Sequence, residues 1–238
     1  MRLDKFLSVT GKATRSEATR AVRQGRVIVN GFAAKKADLN IDPEVDIITF
    51  DGDVVEYRKN TYVMLNKPSG CVSSTEDGAN TVLKLLPPDI AKNLFPCGRL
   101  DKDTLGLMLL TDDGEIAHFL LSPVSHVAKT YLVKTEKPIS QNDVAILQNG
   151  VDIGDEKPTK PAKIEPSGDG WLVTLSEGRY HQIKRMFEAV GNKVIYLERL
   201  TFGPLSLDPS LSRGEWRYLT EKEINEIQKF NRNVGEKK

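Results

Sequence analysis

The chain has 238 residues, 39% of them hydrophobic and 28% charged, with a formal net charge of +1. That apolar content is enough for a packed core and excludes a disordered chain, and the length suits two domains of ordinary size. The longest apolar runs, such as Leu105 to Leu110, fall far short of the ~20 residues that span a bilayer, and the opening MRLDKFL has no apolar signal-peptide core; a soluble, cytoplasmic protein without membrane contact is expected. Two cysteines, Cys71 and Cys97, without CxxC spacing, and three scattered histidines imply no metal site. Neither GxGxxG nor GxxxxGK[ST] occurs, so the chain reads as cofactor-free.

The small net charge conceals a sorting along the chain. From Met1 to Lys36 nine Lys and Arg face only Asp4 and Glu17, and acidic residues from Asp38 onward restore the balance. A basic block on a folded module is the electrostatic footprint of a polyanion site. Leu3, Phe6 and Leu7 recur at helical spacing. A second helix is predicted from the capping signal TRSE, Thr14 to Glu17, to about Gln24, with Gly25 as its stop. RVIVNGFAA then reads as a strand entering an Asn30-Gly31 turn. Ala18, Ala21 and Val22 can face a core on the second helix, and Arg15, Arg20, Arg23 and, just past its end, Arg26 can project outward. This order of helix, helix and G-R-V-x-V-N-G strand resembles the RNA-binding module first recognised in ribosomal protein S-four. The resemblance implies RNA backbone contacts at Arg15, Arg20, Arg23 and Lys36. A domain boundary is placed near residue 59, in DGDVVEYRKN.

From Thr61 onward, TYVMLNKP, GLMLLT, KTYLVKTE, GWLVTLSEG and KVIYLERLTFGPL read as strands, with helical pattern at EIAHFLL and YHQIKRMFEAVG. Interspersed strands and helices argue an α+β domain around a mixed, mostly antiparallel sheet with flanking helices. It is assigned to residues 60–229, with 230–238 as a polar, fraying tail.

Three polar segments in this domain have unremarkable explanations taken singly. Asp101 in GRLDKDTLGL fits a turn, Tyr131 in HVAKTYLV fits a strand aromatic, and Lys184-Arg185 in EGRYHQIKRMF fits a solvated helix face. Tyr180 and His181 fit an ordinary helix entry. Together, with MLNKPSG and TKPA in the same order, they resemble the pseudouridine synthases, most closely the RsuA-type branch that carries a leading S-four-like module and modifies small-subunit ribosomal RNA.

By that resemblance, Asp101 is the invariant aspartate, Tyr131 the active-site tyrosine and Lys184 the cation paired with the aspartate, where other branches carry arginine. Arg99 is expected to reach into the RNA near the vacated base. The implied reaction breaks the C1′–N1 bond of uridine, turns the uracil and rejoins it through C5, with no net redox change and no cofactor. The carboxylate either attacks C1′ or takes a proton from C2′, and residue types do not choose between these routes. The expected partner is 16S RNA, within a small-subunit assembly intermediate, at the uridine conventionally numbered about 516, and the chain is expected to act as a monomer. A synthase acting on large-subunit 23S RNA and a non-catalytic RNA-binding assembly factor are the alternatives.

Overall fold

The computed structural model describes residues 1–55, 57, 60–76 and 80–235, with side chains through Asn231. It contains two compact units, Met1–Lys59 and Asn60–Lys238. Residues 56, 58 and 59 of the boundary stretch, and 236–238 of the expected tail, lie outside the described residues.

In the first unit, α1 (Leu3–Val9) and α2 (Arg15–Arg23) pack on a small sheet of β1 (Val27–Val29), β2 (Phe32–Ala33), β3 (Ile48–Phe50) and β4 (Asp53–Val54), ordered β2-β1-β3-β4. Leu3, Phe6 and Leu7 bury against Ala18, Ala21, Val22, Val27 and Ile48. The predicted cap forms: Glu17 N donates to Thr14 Oγ1 at 3.3 Å, and Thr14 N donates to the Glu17 carboxylate at 2.8 Å. Such a cap contributes about 1 kcal/mol to the helix it starts. Asn30 and Gly31 both take positive φ, 51° and 84°, as a tight two-residue hairpin requires.

The second unit follows as β5 (Tyr62–Lys67), a 3-10 turn (Val82–Leu85), α3 (Pro88–Ala91), β6 (Phe95–Pro96), β7 (Leu105–Thr111), α4 (Gly114–Leu121) and β8 (Lys129–Thr135). It continues through α5 (Gln141–Asn149), β9 (Lys163–Ser167), β10 (Gly170–Leu175), α6 (Gln182–Ala189), β11 (Val194–Phe202), β12 (Leu205–Ser206), β13 (Trp216–Tyr218) and α7 (Glu221–Gly235). The sheet runs β13-β5-β7-β11-β8-β10-β9, with β12 beside β11 and β6 beside β7. Among the pairings between these strands only β7–β11 is parallel, so the expected mixed, mostly antiparallel sheet is borne out.

Alternation along the strands assigns each face of the sheet a core. Tyr62 and Met64 of β5 and Leu107 and Leu109 of β7 face one cluster, whereas Val63, Leu65, Met108 and Leu110 face another. A third cluster joins Val133, Val173 and Leu197 to the apolar stripe of α6, Ile183, Met186 and Phe187. Tyr131 packs against both the second and the third clusters, so it stands at the seam between the two halves of the domain. At that seam β7 and β11 approach so closely that a Cβ on Gly106 would lie 2.3 Å from the Arg199 carbonyl oxygen; Gly106 also has φ +96°.

The tail expected from residue 230 is corrected in part. Helix α7 continues to Gly235, because Phe230 meets Phe119 of α4 edge-on at 5.8 Å and Ile227 is buried in the same cluster. Apolar burial on one side outweighs the polar sequence that follows Phe230.

Candidate active site

The segment between β6 and β7 combines both readings of GRLDKDTLGL. It is a turn, since Thr104 N donates to the Asp101 carbonyl at 3.1 Å. It also delivers Asp101 to a cleft of about 460 Å³ over the sheet seam, lined among others by Arg99, Asp101, Lys129, Tyr131, His181 and Arg199. Ser73 fixes the approach, donating its hydroxyl to the Leu100 carbonyl at 2.9 Å and accepting from Leu100 N at 3.0 Å.

Two side chains meet the Asp101 carboxylate. Lys184 Nζ, from the first turn of α6, lies 3.2 Å from Oδ2, and His181 Nε2 lies 3.4 Å from Oδ1. Lys184 also donates to Asp103 Oδ1 at 2.6 Å, so one ammonium serves two carboxylates. Burial disfavours the charge of Lys184, but its hydrogen bonds to Asp103 and Asp101 outweigh that and hold the ammonium above its usual range. Burial likewise disfavours the ionised form of Asp103, and Lys184 outweighs it, leaving that carboxyl below its usual range. His181 reaches Asp101 only because its backbone is left-handed, φ 47°, and its ring stacks on Tyr180 at 3.9 Å.

Lys67 holds the turn from beneath. Its side chain is fully buried, and Nζ donates to the carbonyls of Pro68, Asp101, Lys102 and Thr104 at 2.8–3.3 Å. Burial lowers its pKa, with Cys71, Asp103 and Asp101 opposing that shift. Lys67→Met removes the ammonium from the buried Thr104 carbonyl and one donor each from those of Pro68, Asp101 and Lys102, a loss of about 2–4 kcal/mol in folding stability. Denaturant unfolding is expected to show that loss together with a fall in activity, and unchanged stability would mean that the turn holds itself.

A second charged network braces the far wall. Arg179 donates to the Lys157 and Pro158 carbonyls and pairs with Glu177 at 3.2 Å, and Arg185 donates to the Ile153 carbonyl. Both guanidiniums share Asp155, which Arg185 above all holds below the usual carboxylate range. Arg185 is thus tied into the protein, and Lys184 is the member of the pair that faces Asp101.

Of the sequence-predicted residues, Asp101, Tyr131 and Arg99 line one cleft, with Arg99 exposed, and Lys184 joins them through its contact with Asp101. Residues 61–189 match the family of RNA pseudouridylate synthases. The chain belongs to that family. It is an RNA pseudouridine synthase whose residues 1–47 match the S4 domain. It is 47% identical to an uncharacterized RNA pseudouridine synthase, YtzG, of Bacillus subtilis, over 94% of this chain and 97% of that protein. Identity is 45% with ribosomal small subunit pseudouridine synthase A of Haemophilus influenzae, over 96% and 100%. A crystal structure of a pseudouridylate synthase aligns with TM-score 0.68 at 45% identity, covering 95% of this chain and 99% of that one.

In the S4 domain of this pseudouridine synthase, Arg15, Arg20, Arg23 and Lys36 are all exposed and make no ion pair among the described residues. Arg26, just past α2, instead pairs with Asp51 and lies 5.2 Å over the Phe50 ring. Sequence reasoning left Lys67, Asp103, Lys129, His181 and Arg199 unassigned. The DKD spacing of Asp101 and Asp103 was the visible signal for a shared cation; the others depend on closure of the sheet and the turn above it.

Proposed function

We propose that this pseudouridine synthase isomerises one uridine of small-subunit 16S ribosomal RNA, at the position conventionally numbered about 516. The observation that carries the chemistry is the Asp101 carboxylate held 3.2 Å from Lys184 in a cleft that also contains Tyr131. Support for the substrate is the near full-length likeness to proteins named ribosomal small subunit pseudouridine synthase A.

A uridine enters the cleft by leaving its stack, at a cost of a few kcal/mol, and stacking on the Tyr131 ring returns about 1–3 kcal/mol. Asp101 then attacks C1′ or removes a C2′ proton as the C1′–N1 bond breaks. Lys184 orients the carboxylate from 3.2 Å, and Arg99, at the rim, occupies the space the base leaves in the RNA. After C1′ bonds to C5, the C5 proton is lost and N1 gains one, with the Tyr131 hydroxyl placed to assist. Every step balances without an oxidant, a metal or a cofactor.

Arg15, Arg20, Arg23 and Lys36 supply a second, sequence-independent grip on RNA phosphates, and linkage of the two contacts raises affinity. The protein works in the cytoplasm as a monomer, on a small-subunit assembly intermediate. Removal of residues 1–59 is expected to weaken RNA binding and flatten its salt dependence while single-turnover chemistry at saturating protein stays within about threefold. Filter binding across a salt series measures this; unchanged affinity and slope would remove the S4 domain from RNA recognition.

Tritium release from C5-labelled uridine in 16S RNA and in 30S intermediates, with the modified position mapped afterwards, tests the substrate. Release at one 16S position supports the reading. Release from 23S RNA alone overturns the substrate, and tight binding without release from any RNA overturns catalysis.

A further inference from the structure

The same sheet face that carries Tyr131 carries two cations the reaction above does not use. Tyr131 on β8 pairs directly with Arg199 on β11 and Val173 on β10, and Lys129 lies two residues earlier on β8, paired with Phe202 and Leu175. Residues two apart on a strand, and residues opposite each other across strands, share a face. Lys129, Tyr131 and Arg199 accordingly all line the cleft.

Arg199 is 2% exposed, and its Nε donates to the Leu107 carbonyl at 2.8 Å. Lys129 is half-buried, with Nζ donating to the Val127 carbonyl at 3.1 Å. Both stand over the Phe202 ring, Arg199 at 4.8 Å and Lys129 at 5.3 Å. Neither forms an ion pair among the described residues. The neighbouring carboxylate on β11, Glu198, is already held by Arg213 at 2.9 Å and by the Tyr196 hydroxyl. Two adjacent cations withdrawn from water without a counter-charge are costly to the folded chain. They are what a site needs if negative charge arises there during turnover.

Such charge does arise. When the C1′–N1 bond breaks heterolytically, its electron pair stays with N1 and delocalises onto O2 and O4 of the uracil. The sugar's deficit is met by Asp101 bonding C1′ or taking the C2′ proton. We propose that Lys129, backed by Arg199, stabilises the detached uracil anion, and is a catalytic residue for glycosidic cleavage and for the turn of the base. This inference rests on the pseudouridine synthase activity and not on the choice of ribosomal RNA.

Burial, with the charge of Arg199 added, lowers the Lys129 pKa to about 8, and the weak counter-effect of Cys97 does not restore it. The groups around the ammonium are Arg199 from β11, Cys97 ahead of β7 and Tyr131 on its own strand. The cationic form is present below pH about 8 and is lost above it. Turnover therefore falls on the alkaline side in the wild type, and Lys129→Arg moves that limb upward.

The decisive test compares uridine with 5-fluorouridine at the target position across a range of RNA concentrations, using wild type and the Lys129→Met, Lys129→Gln and Lys129→Arg variants. Wild-type turnover is established first: failure on small-subunit RNA overturns the substrate reading alone, and the variants are then compared on whichever ribosomal RNA the wild type modifies. The neutral variants are expected to lose about 10²-fold in kcat on uridine with KM within about twofold. Fluorine withdraws electrons and stabilises the uracil anion by itself, so loss of 5-fluorouridine from nuclease digests is expected to slow less than about tenfold. Lys129→Arg keeps most of the rate on both substrates. If the neutral variants raise KM and leave kcat intact, the cations hold an RNA phosphate and the inference is overturned. Equal losses on both substrates, or equal losses in the arginine and neutral variants, assign Lys129 to packing and overturn it as well.

Discussion

Asp101→Asn is expected to reduce pseudouridine formation by at least about 10⁴-fold, the scale on which removal of an essential reacting group acts. The substitution keeps the shape of the side chain and removes its charge, and an amide neither bonds C1′ nor accepts the C2′ proton. The turn that carries Asp101 survives because its anchors hold the main chain and not the carboxylate. Thr104 N and Lys67 Nζ both donate to the Asp101 main-chain carbonyl, and Ser73 grips the Leu100 backbone. Lys184 keeps Asp103 as a partner at 2.6 Å. RNA affinity should therefore stay within about threefold, because phosphate contacts dominate RNA binding and a carboxylate supplies none. Tritium release measured beside filter binding separates the two effects. A residual rate within tenfold of wild type would take Asp101 out of the chemistry, and a protein that no longer bound RNA would make the carboxylate a recognition element.

The side chains that could be placed from sequence were those whose roles travel with a motif. Asp101, Tyr131 and Lys184 lie far apart in the chain, yet each sits in a stretch whose residue order specifies its neighbours. Lys67 belongs to such a stretch too, MLNKPSG, and was still left unassigned. A lysine in a strand reads by default as exposed, and this one is fully buried only because both faces of β5 are covered and four carbonyls turn inward to meet it. His181 is a comparable case. Its position before α6 reads as a helix entry, and a left-handed backbone brings the ring within 3.4 Å of Asp101. No local pattern encodes that geometry; it follows from the bracing of the Glu177–Tyr180 stretch by Arg179 and Arg185. Arg199 follows Glu198 in KVIYLERLTF, a pairing that reads as a solvated strand, whereas the sheet sends Glu198 to Arg213 and Arg199 into the cleft.

Strand order was beyond the sequence for a related reason. The parallel neighbours β7 and β11 are separated in sequence by α4, β8, α5, β9, β10 and α6, and their contact depends on Gly106 admitting the Arg199 backbone. Hydrophobic alternation specifies which side chains point inward but not which strand lies beside which. The glycine in DKDTLGL was legible as part of a turn signal. Its structural task is the close approach that sets Asp101 and Arg199 at the same cleft.

Lys184→Met is expected to lower kcat by about 10²–10³-fold with KM little changed, because the ammonium acts on the reacting carboxylate rather than on the RNA. In the wild type the raised pKa of Lys184 and the lowered pKa of Asp103 keep that pair ionised through the neutral range. The stabilisation carried by Asp103 is present above its unfolded value and is lost as pH falls through the folded one; that carried by Lys184 is lost only as pH rises through its folded value. Asp103 is two-thirds exposed, so solvent screening limits the pair to at most about 1 kcal/mol, and the melting temperature of the variant should move little. Activity responds differently. Without the ammonium, the charge that holds the Asp103 carboxyl below its usual range is gone, so Asp103 takes up its proton at higher pH beside Asp101. The acid limb of the kcat profile should therefore shift to higher pH in Lys184→Met. In Lys184→Arg a permanent cation occupies the same place, so the limb should stay where it is and most of the rate should persist. A methionine variant with wild-type kcat and an unshifted acid limb would mean that the backbone anchors of the turn, and not the charge above it, prepare Asp101 for the reaction.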